Sequence, residues 1–145
     1  MWNTIYNWPW QTIWSAVSAI FTAAAVGVAG WAMFRWRKQD ELKVKLAFKQ
    51  AVSEYAYCLM SLPQMLNSEP VRVKHQDKAK KLVDLLNACN IAWLSTEGLL
   101  DKDLDVAKCW DFVFENHKFY LAGKLDRDTL GANCMGIISE KFVFK

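Results

Sequence analysis

Charge is absent from the start of this chain. Met1 to Phe34 carries no Lys, Arg, Asp or Glu, and all 18 basic and 15 acidic residues lie from Arg35 onward. An ordinary water-exposed surface is thereby excluded for the first segment. Histidine is scarce, with only His75 and His117. No HExxH, GxSxG, Walker or GxGxxG pattern occurs, so the fingerprints of zinc peptidases, serine hydrolases and nucleotide or dinucleotide enzymes are all missing. The four cysteines, Cys58, Cys89, Cys109 and Cys134, form no CxxC pair and have no CxxH partner, which removes the common zinc and dithiol sites. Each sits in an apolar stretch and is expected to be a reduced, buried hydrophobe of a cytoplasmic domain. With 6 Gly and 3 Pro the chain shows no Gly/Ser linker, internal repeat or low-complexity tract. These absences lead to the expectation of a protein without enzyme activity, cofactor or metal.

What is present begins with an apolar run. Ile13 to Phe34 is about 22 residues long, and at about 1.5 Å per residue a helix over it spans roughly 33 Å, close to the ~30 Å of a bilayer hydrocarbon core. Aromatic residues flank it, with Trp2, Tyr6, Trp8, Trp10 and Trp14 at one end and Trp31 and Trp36 at the other, as expected for rings resting at headgroup level. Pro9 suits a first helical turn. Arg35, Arg37 and Lys38 follow the run directly, whereas the preceding tail has no basic side chain. The positive-inside rule then puts the N-terminus outside and the C-terminus in the cytoplasm, a single pass in a bacterial inner membrane. A cleaved signal peptide fits worse, because its basic n-region is missing and the apolar run is too long. The expected organisation is therefore residues 1–10 as an external tail, 11–34 as a transmembrane helix and 35–145 as a cytoplasmic helical domain. Within the span Ser15, Ala19, Ala23 and Gly27 recur at every fourth position, with Ser18, Thr22 and Gly30 beside them. Small residues so spaced let two helix backbones approach, which predicts self-association into a homo-oligomer.

After the span, Val44, Phe48, Val52, Tyr55, Leu59, Leu62 and Leu66 keep a helical period with no Gly or Pro before Pro63. One long helix is expected to run from the bilayer to about Leu62 and to stop at Pro63. Ser68 reads as the N-cap of a second helix ending near Leu94, with a stripe of His75, Ala79, Leu82, Leu86, Cys89 and Trp93. Gly98 reads as a C-cap. A third helix from Asp101 carries Val106, Trp110, Val113, His117 and Leu121 and closes at Gly123. A fourth from about Asp128 carries Leu130, Cys134, Ile137 and Lys141, with Gly131 and Gly136 as weak points. Phe142-Val143-Phe144 reads as a docked tail. The fold class is all-α: one N-terminal transmembrane helix continuing into a cytoplasmic bundle of about four helices.

Few residues suggest chemistry. His117 lies on an apolar stripe and is expected to be a core residue, while His75 neighbours basic residues. Asp101, Asp103 and Asp105 imitate the start of a calcium loop, but Val106 and Phe112 stand where that loop needs Gly and Glu, so helix capping is the better reading. The basic residues are the strongest lead. Arg72, Lys74, Lys78, Lys80 and Lys81 crowd the start of the second helix, with Lys74, Lys78 and Lys81 on one face. They read either as a solvated face or as a phosphate-binding group formed by Arg72, Lys74, Lys78 and Lys81. A second group, Arg35, Arg37, Lys38, Lys43, Lys45 and Lys49, starts at the membrane exit, where anionic headgroups attract cations. DNA is not an expected partner, since the net charge is only +3 and no recognition motif occurs.

Leu85-Leu86-Asn87 followed by Gly98-Leu99-Leu100-Asp101 resembles the helix-turn-helix of an uncharacterised family of small single-pass bacterial membrane proteins with a helical cytoplasmic domain. The plan is also similar to that of antiphage membrane effectors activated by cyclic oligonucleotides. The resemblance implies a helical fold and a membrane output, and it transfers no catalytic residue. Two expectations follow. One is a non-enzymatic effector whose cytoplasmic domain couples a cyclic oligonucleotide, another phosphorylated signal or a partner to membrane perturbation. The other is an anchor or adaptor that tethers a protein partner.

Overall fold

The computed structural model describes residues 10–142. The expected interfacial residues Trp2, Tyr6 and Trp8, the Pro9 helix start, and Val143 and Phe144 of the expected tail lie outside the described residues. Among the described residues the structure is all-helical, with five helices and no strand: α1 (Trp10–Met60), α2 (Glu69–Lys74), α3 (Gln76–Leu94), α4 (Leu104–Leu121) and α5 (Arg127–Ser139). The chain divides after Gln39 into two compact units.

The first unit contains the uncharged part of α1, which is one helix of 51 residues. It is the one helix among the described residues long and apolar enough to cross a membrane. Ile20, Phe21, Val26, Val28, Met33 and Phe34 are all exposed, whereas a water-soluble chain covers most such side chains. Two of its hydroxyls are satisfied by the helix itself, Ser15 donating to Thr12 O at 2.9 Å and Thr22 to Ser18 O at 2.8 Å. Ser15, Ala19, Ala23 and Gly27 are exposed, and a Cβ added at Gly27 or Gly30 would meet nothing within 4 Å.

The second unit is built on the stripe that the helical period predicts. Phe48, Val52, Tyr55, Cys58 and Leu59 of α1 are buried, together with Leu62 and Leu66 beyond it. They pack with Leu82, Leu86 and Cys89 of α3, Val106, Trp110, Val113 and Tyr120 of α4, and Leu130, Cys134 and Ile137 of α5. At about 25 cal/mol per Å² of buried apolar surface this contiguous cluster supplies the main driving force for folding. Aromatic rings fill the α1/α3/α4 junction, where Phe48 meets Trp93 at 5.1 Å and Trp110 edge-on at 5.3 Å. Lys49 donates to Glu140 O at 2.9 Å and lies over the Phe142 ring, so the segment after α5 returns to α1.

Pro63 follows the end of α1, and the carbonyls of Ser61, Leu62, Pro63, Gln64 and Leu66 find donors elsewhere in the chain. Lys78 Nζ donates to Ser61 O (3.3 Å), Arg127 Nη1 to Leu62 O (3.1 Å), Tyr120 Oη to Pro63 O (2.7 Å), Arg127 N to Gln64 O (2.8 Å) and Arg72 Nε to Leu66 O (2.8 Å).

The second expected helix is two helices. Its register breaks at His75 (φ −109°, ψ 14°), and Ser68 makes no side-chain cap bond. α2 fully buries no residue and contains the β-branched Val71 and Val73, so neither packing nor propensity carries its register into α3. The third helix starts at Leu104 rather than Asp101, because Glu97 and Gly98 adopt positive φ and a run of tight turns extends to Asp103. α5 is a regular helix despite its glycines: Asp126 caps it by accepting from Thr129 N at 2.9 Å. Lys141 falls beyond its end and is exposed.

Gly123 (φ +71°) closes α4 through the paired bonds Gly123 N to Tyr120 O (2.9 Å) and Lys124 N to Phe119 O (2.8 Å). A Cβ there would strike the Leu66 carbonyl group and approach Asn67 Cα at 2.9 Å. Gly123→Ala should therefore destabilise the protein by about 2 kcal/mol or more. Gly131→Ala, in a helix with open space around it, should stabilise by about 0.5–1 kcal/mol. Denaturant unfolding of the full chain in micelles, followed by circular dichroism, checks the opposite signs.

Candidate functional site

α1 and α3 lie side by side in the second unit and leave an open groove of about 460 Å³ between them. Its α1 wall is Gln50, Ser53, Glu54, Tyr57, Cys58 and the following Ser61; its α3 wall is Lys78, Lys81 and Leu85. The wall residues of α1 recur at steps of three and four beside the core stripe, so this helix buries one face and offers the neighbouring face to the groove. Cys58 and Leu85 form the less exposed part, and Tyr57, 82% exposed, stands on the rim. Gln50 Nε2 donates to Glu54 Oε1 at 3.2 Å. The hydroxyls of Ser53 and Ser61 are engaged as donors, to Lys49 O (2.8 Å) and Cys58 O (2.7 Å). The groove thus sets two ammonium groups against one carboxylate over a largely apolar floor.

Of the expected phosphate-binding residues the groove brings together Lys78 and Lys81. Arg72 instead holds Leu66 O, and Lys74 is exposed at the end of α2 outside the groove. The break at His75 is what separates Lys74 from the other two. Gln50, Glu54 and Tyr57 were not candidates from sequence. Their spacing from the core stripe was the only available signal.

At the charged end of the first unit, the Arg35 guanidinium sits over the Trp31 ring at 5.3 Å, and Trp31, Phe34, Arg35 and Lys38 line a shallow hollow of about 310 Å³. Trp10 and Trp36 are 61% and 70% exposed, and Arg37 is exposed too.

Other titratable groups divide between core and surface. Burial pushes the Cys89 and Cys134 thiols up to about 12, so they stay protonated and inert. All four cysteines are free, Cys109 being half-buried. Asp103 occupies the N-cap position of α4 without a side-chain cap bond, and Asp105 lies in its first turn, where its charge meets the helix dipole. Among the described residues no three His, Cys, Asp or Glu side chains converge as metal ligands would.

His117 lies in the core, 5% exposed, with Nδ1 2.8 Å from Tyr55 Oη. Burial pushes the Tyr55 phenol well above its ordinary value, so the phenol keeps its proton and donates it to Nδ1. The imidazole N–H then sits on Nε2, which is buried with no partner among the described residues.

No protein-family model matches the chain, and no curated protein or solved structure is significantly similar to it.

Burial holds His117 down at about 4, against an ordinary value near 6.5. Between those values the unfolded chain binds the proton that the folded chain refuses. Stability is thus complete above pH 6.5 and falls as pH drops towards 4, by up to about 3 kcal/mol. Urea unfolding at pH 7.5 and 4.5 should show this loss. The Tyr55→Phe/His117→Leu double variant should lose most of the pH dependence, and an unchanged slope would remove His117 as its cause.

Proposed function

We propose that this protein is a non-enzymatic, single-pass effector of a bacterial inner membrane. In this reading the first part of α1 spans the bilayer with its N-terminus outside. Residues 35–145 form a cytoplasmic helical bundle, and the α1/α3 groove receives a phosphorylated signal, a cyclic oligonucleotide of antiphage signalling being its most specific form. The observation that carries the proposal is the continuity of α1: the helix that bears the uncharged apolar run also bears the groove residues Gln50 to Cys58. A signal bound at the groove acts directly on the helix that enters the membrane. The exposed small-residue strip Ser15, Ala19, Ala23 and Gly27 supplies a face for self-association within the bilayer. In this reading Trp10, Trp31, Arg35, Trp36, Arg37 and Lys38 hold the helix ends at the headgroup layers.

A membrane adaptor is the second reading. Ile91 and Leu94, 66% and 67% exposed at the end of α3, favour it, since an apolar helix end is a common docking feature.

Expression of the full chain with its native neighbours, with membrane potential followed by a voltage-sensitive dye, separates the two. The effector depolarises the cell and slows growth once the signal is made. A chain lacking residues 1–38 does neither. Gly27→Leu should lower cross-linked oligomer in membranes by about twofold or more by forcing the backbones apart. Unchanged potential and growth, with one stoichiometric protein partner recovered, would establish the adaptor instead.

A further inference from the structure

We infer that the α1/α3 groove is a binding site for a guanine mononucleotide unit. The inference rests on the reading of this groove as the ligand site and specifies what it recognises. Three features constrain the ligand. The groove's volume of about 460 Å³ falls in the range of small-molecule sites and suits one nucleotide rather than a linear oligomer. Lys78 and Lys81 line one wall, and Lys78 spends one donor on Ser61 O at 3.3 Å, leaving two for an anion. Tyr57, Cys58 and Leu85 present an apolar surface with an exposed phenol ring at its rim, against which a planar ring stacks.

Glu54 decides which ring. A carboxylate repels a second phosphate and accepts hydrogen bonds only, so the end of the ligand that meets it must donate. Guanine carries two adjacent N–H donors on one edge, which match the two oxygens of a carboxylate. Adenine and cytosine set one amino donor beside an acceptor nitrogen, which a carboxylate repels, and uracil flanks a single N–H with two carbonyls. Gln50, one turn before Glu54, donates to Oε1 at 3.2 Å. That bond orients the carboxylate and leaves a second amide N–H for the guanine carbonyl oxygen. Lysines on one wall and Glu54 with Gln50 on the other therefore read the two ends of a single molecule.

Equilibrium dialysis of the full chain in phosphatidylcholine nanodiscs against labelled GMP tests the assignment. GMP should bind saturably at one per chain, with AMP, CMP, UMP and guanosine each weaker by about tenfold or more. Lys78→Ala/Lys81→Ala should weaken GMP by at least about tenfold, and Tyr57→Ala by about fivefold or more. Glu54→Gln should narrow the preference for GMP over AMP to about threefold or less. Lys74→Ala, outside the groove, should stay within about twofold. All these side chains are exposed, so the variants retain the core. Absence of saturable GMP binding, equal affinity for GMP and AMP, inorganic phosphate binding as tightly as GMP, or indifference to the lysine pair would each overturn the inference. Dye release from vesicles holding the protein is read in parallel. Release by another phosphorylated compound without GMP binding sinks the guanine assignment alone, and GMP binding with no release by GMP or by a guanine-containing cyclic dinucleotide sinks the effector reading alone.

Discussion

The carbonyl groups released where α1 ends are the constraint on which the rest of the second unit depends. A helix leaves its last carbonyls without intrahelical partners, and the final turn of α1 contains no basic residue of its own to meet them. Pro63 prevents the chain from continuing the helix. Ser61 and Leu62 meet the Cys58 and Leu59 carbonyls locally, and each later helix contributes a donor to the carbonyls just past the end of α1: Arg72 from α2, Lys78 from α3, Tyr120 from α4 and Arg127 from α5. The part-buried Arg72 and Arg127 bonds are of the charged kind, worth about 1.5–3 kcal/mol each, whereas the exposed Lys78–Ser61 bond contributes less. The apolar core gathers the helices, and these directional bonds set their positions around the end of α1. The close approach of Gly123 to Leu66 and Asn67 belongs to the same arrangement, since a side chain at that position would push α4 away from the segment that Tyr120 must reach.

The groove follows from this clasp. Lys78 holds the end of α1 and also lines the groove, so the spacing of the two walls is set in part by one of the groove's own cations. Beneath it, Tyr55 on α1 and His117 on α4 form the polar link of the core, with the histidine neutral and one ring nitrogen unpartnered. A neutral imidazole at the centre keeps uncompensated charge out of the apolar cluster. Positive charge remains at the surface, on the exposed Lys78 and Lys81.

Much of the helical plan was legible because it rests on period and punctuation. The buried stripe from Phe48 to Leu66 follows from steps of three and four, Pro63 marks the end of α1 to within a few residues, and Gly123 marks the end of α4. His117 was legible as a core residue from its place on an apolar stripe. The break at His75 was not, because a local register depends on what a helix packs against, and α2 fully buries no residue. Arg72 read as a ligand-binding cation; sequence shows its charge but not the Leu66 carbonyl that takes its Nε–H. Gln50, Glu54 and Tyr57 lie on a face of α1 that looks solvated in one dimension. They become a wall only when α3 is set beside them, a long-range placement that periodicity within one helix does not encode.

That placement bears on how a bound molecule could act. A ligand shifts a conformational equilibrium only through differential affinity for the two states. Lys78 lines the groove and donates to Ser61 O, so on the proposed reading a bound phosphate would share that ammonium with the chain segment after α1. A ligand that drew Lys78 away would weaken the bond to Ser61 just past α1, while the Arg127, Tyr120 and Arg72 bonds to the same segment would remain. On that reading the affected element is the segment where α1 ends and not the core as a whole, so a ligand of modest size would act on one helix without unfolding the unit.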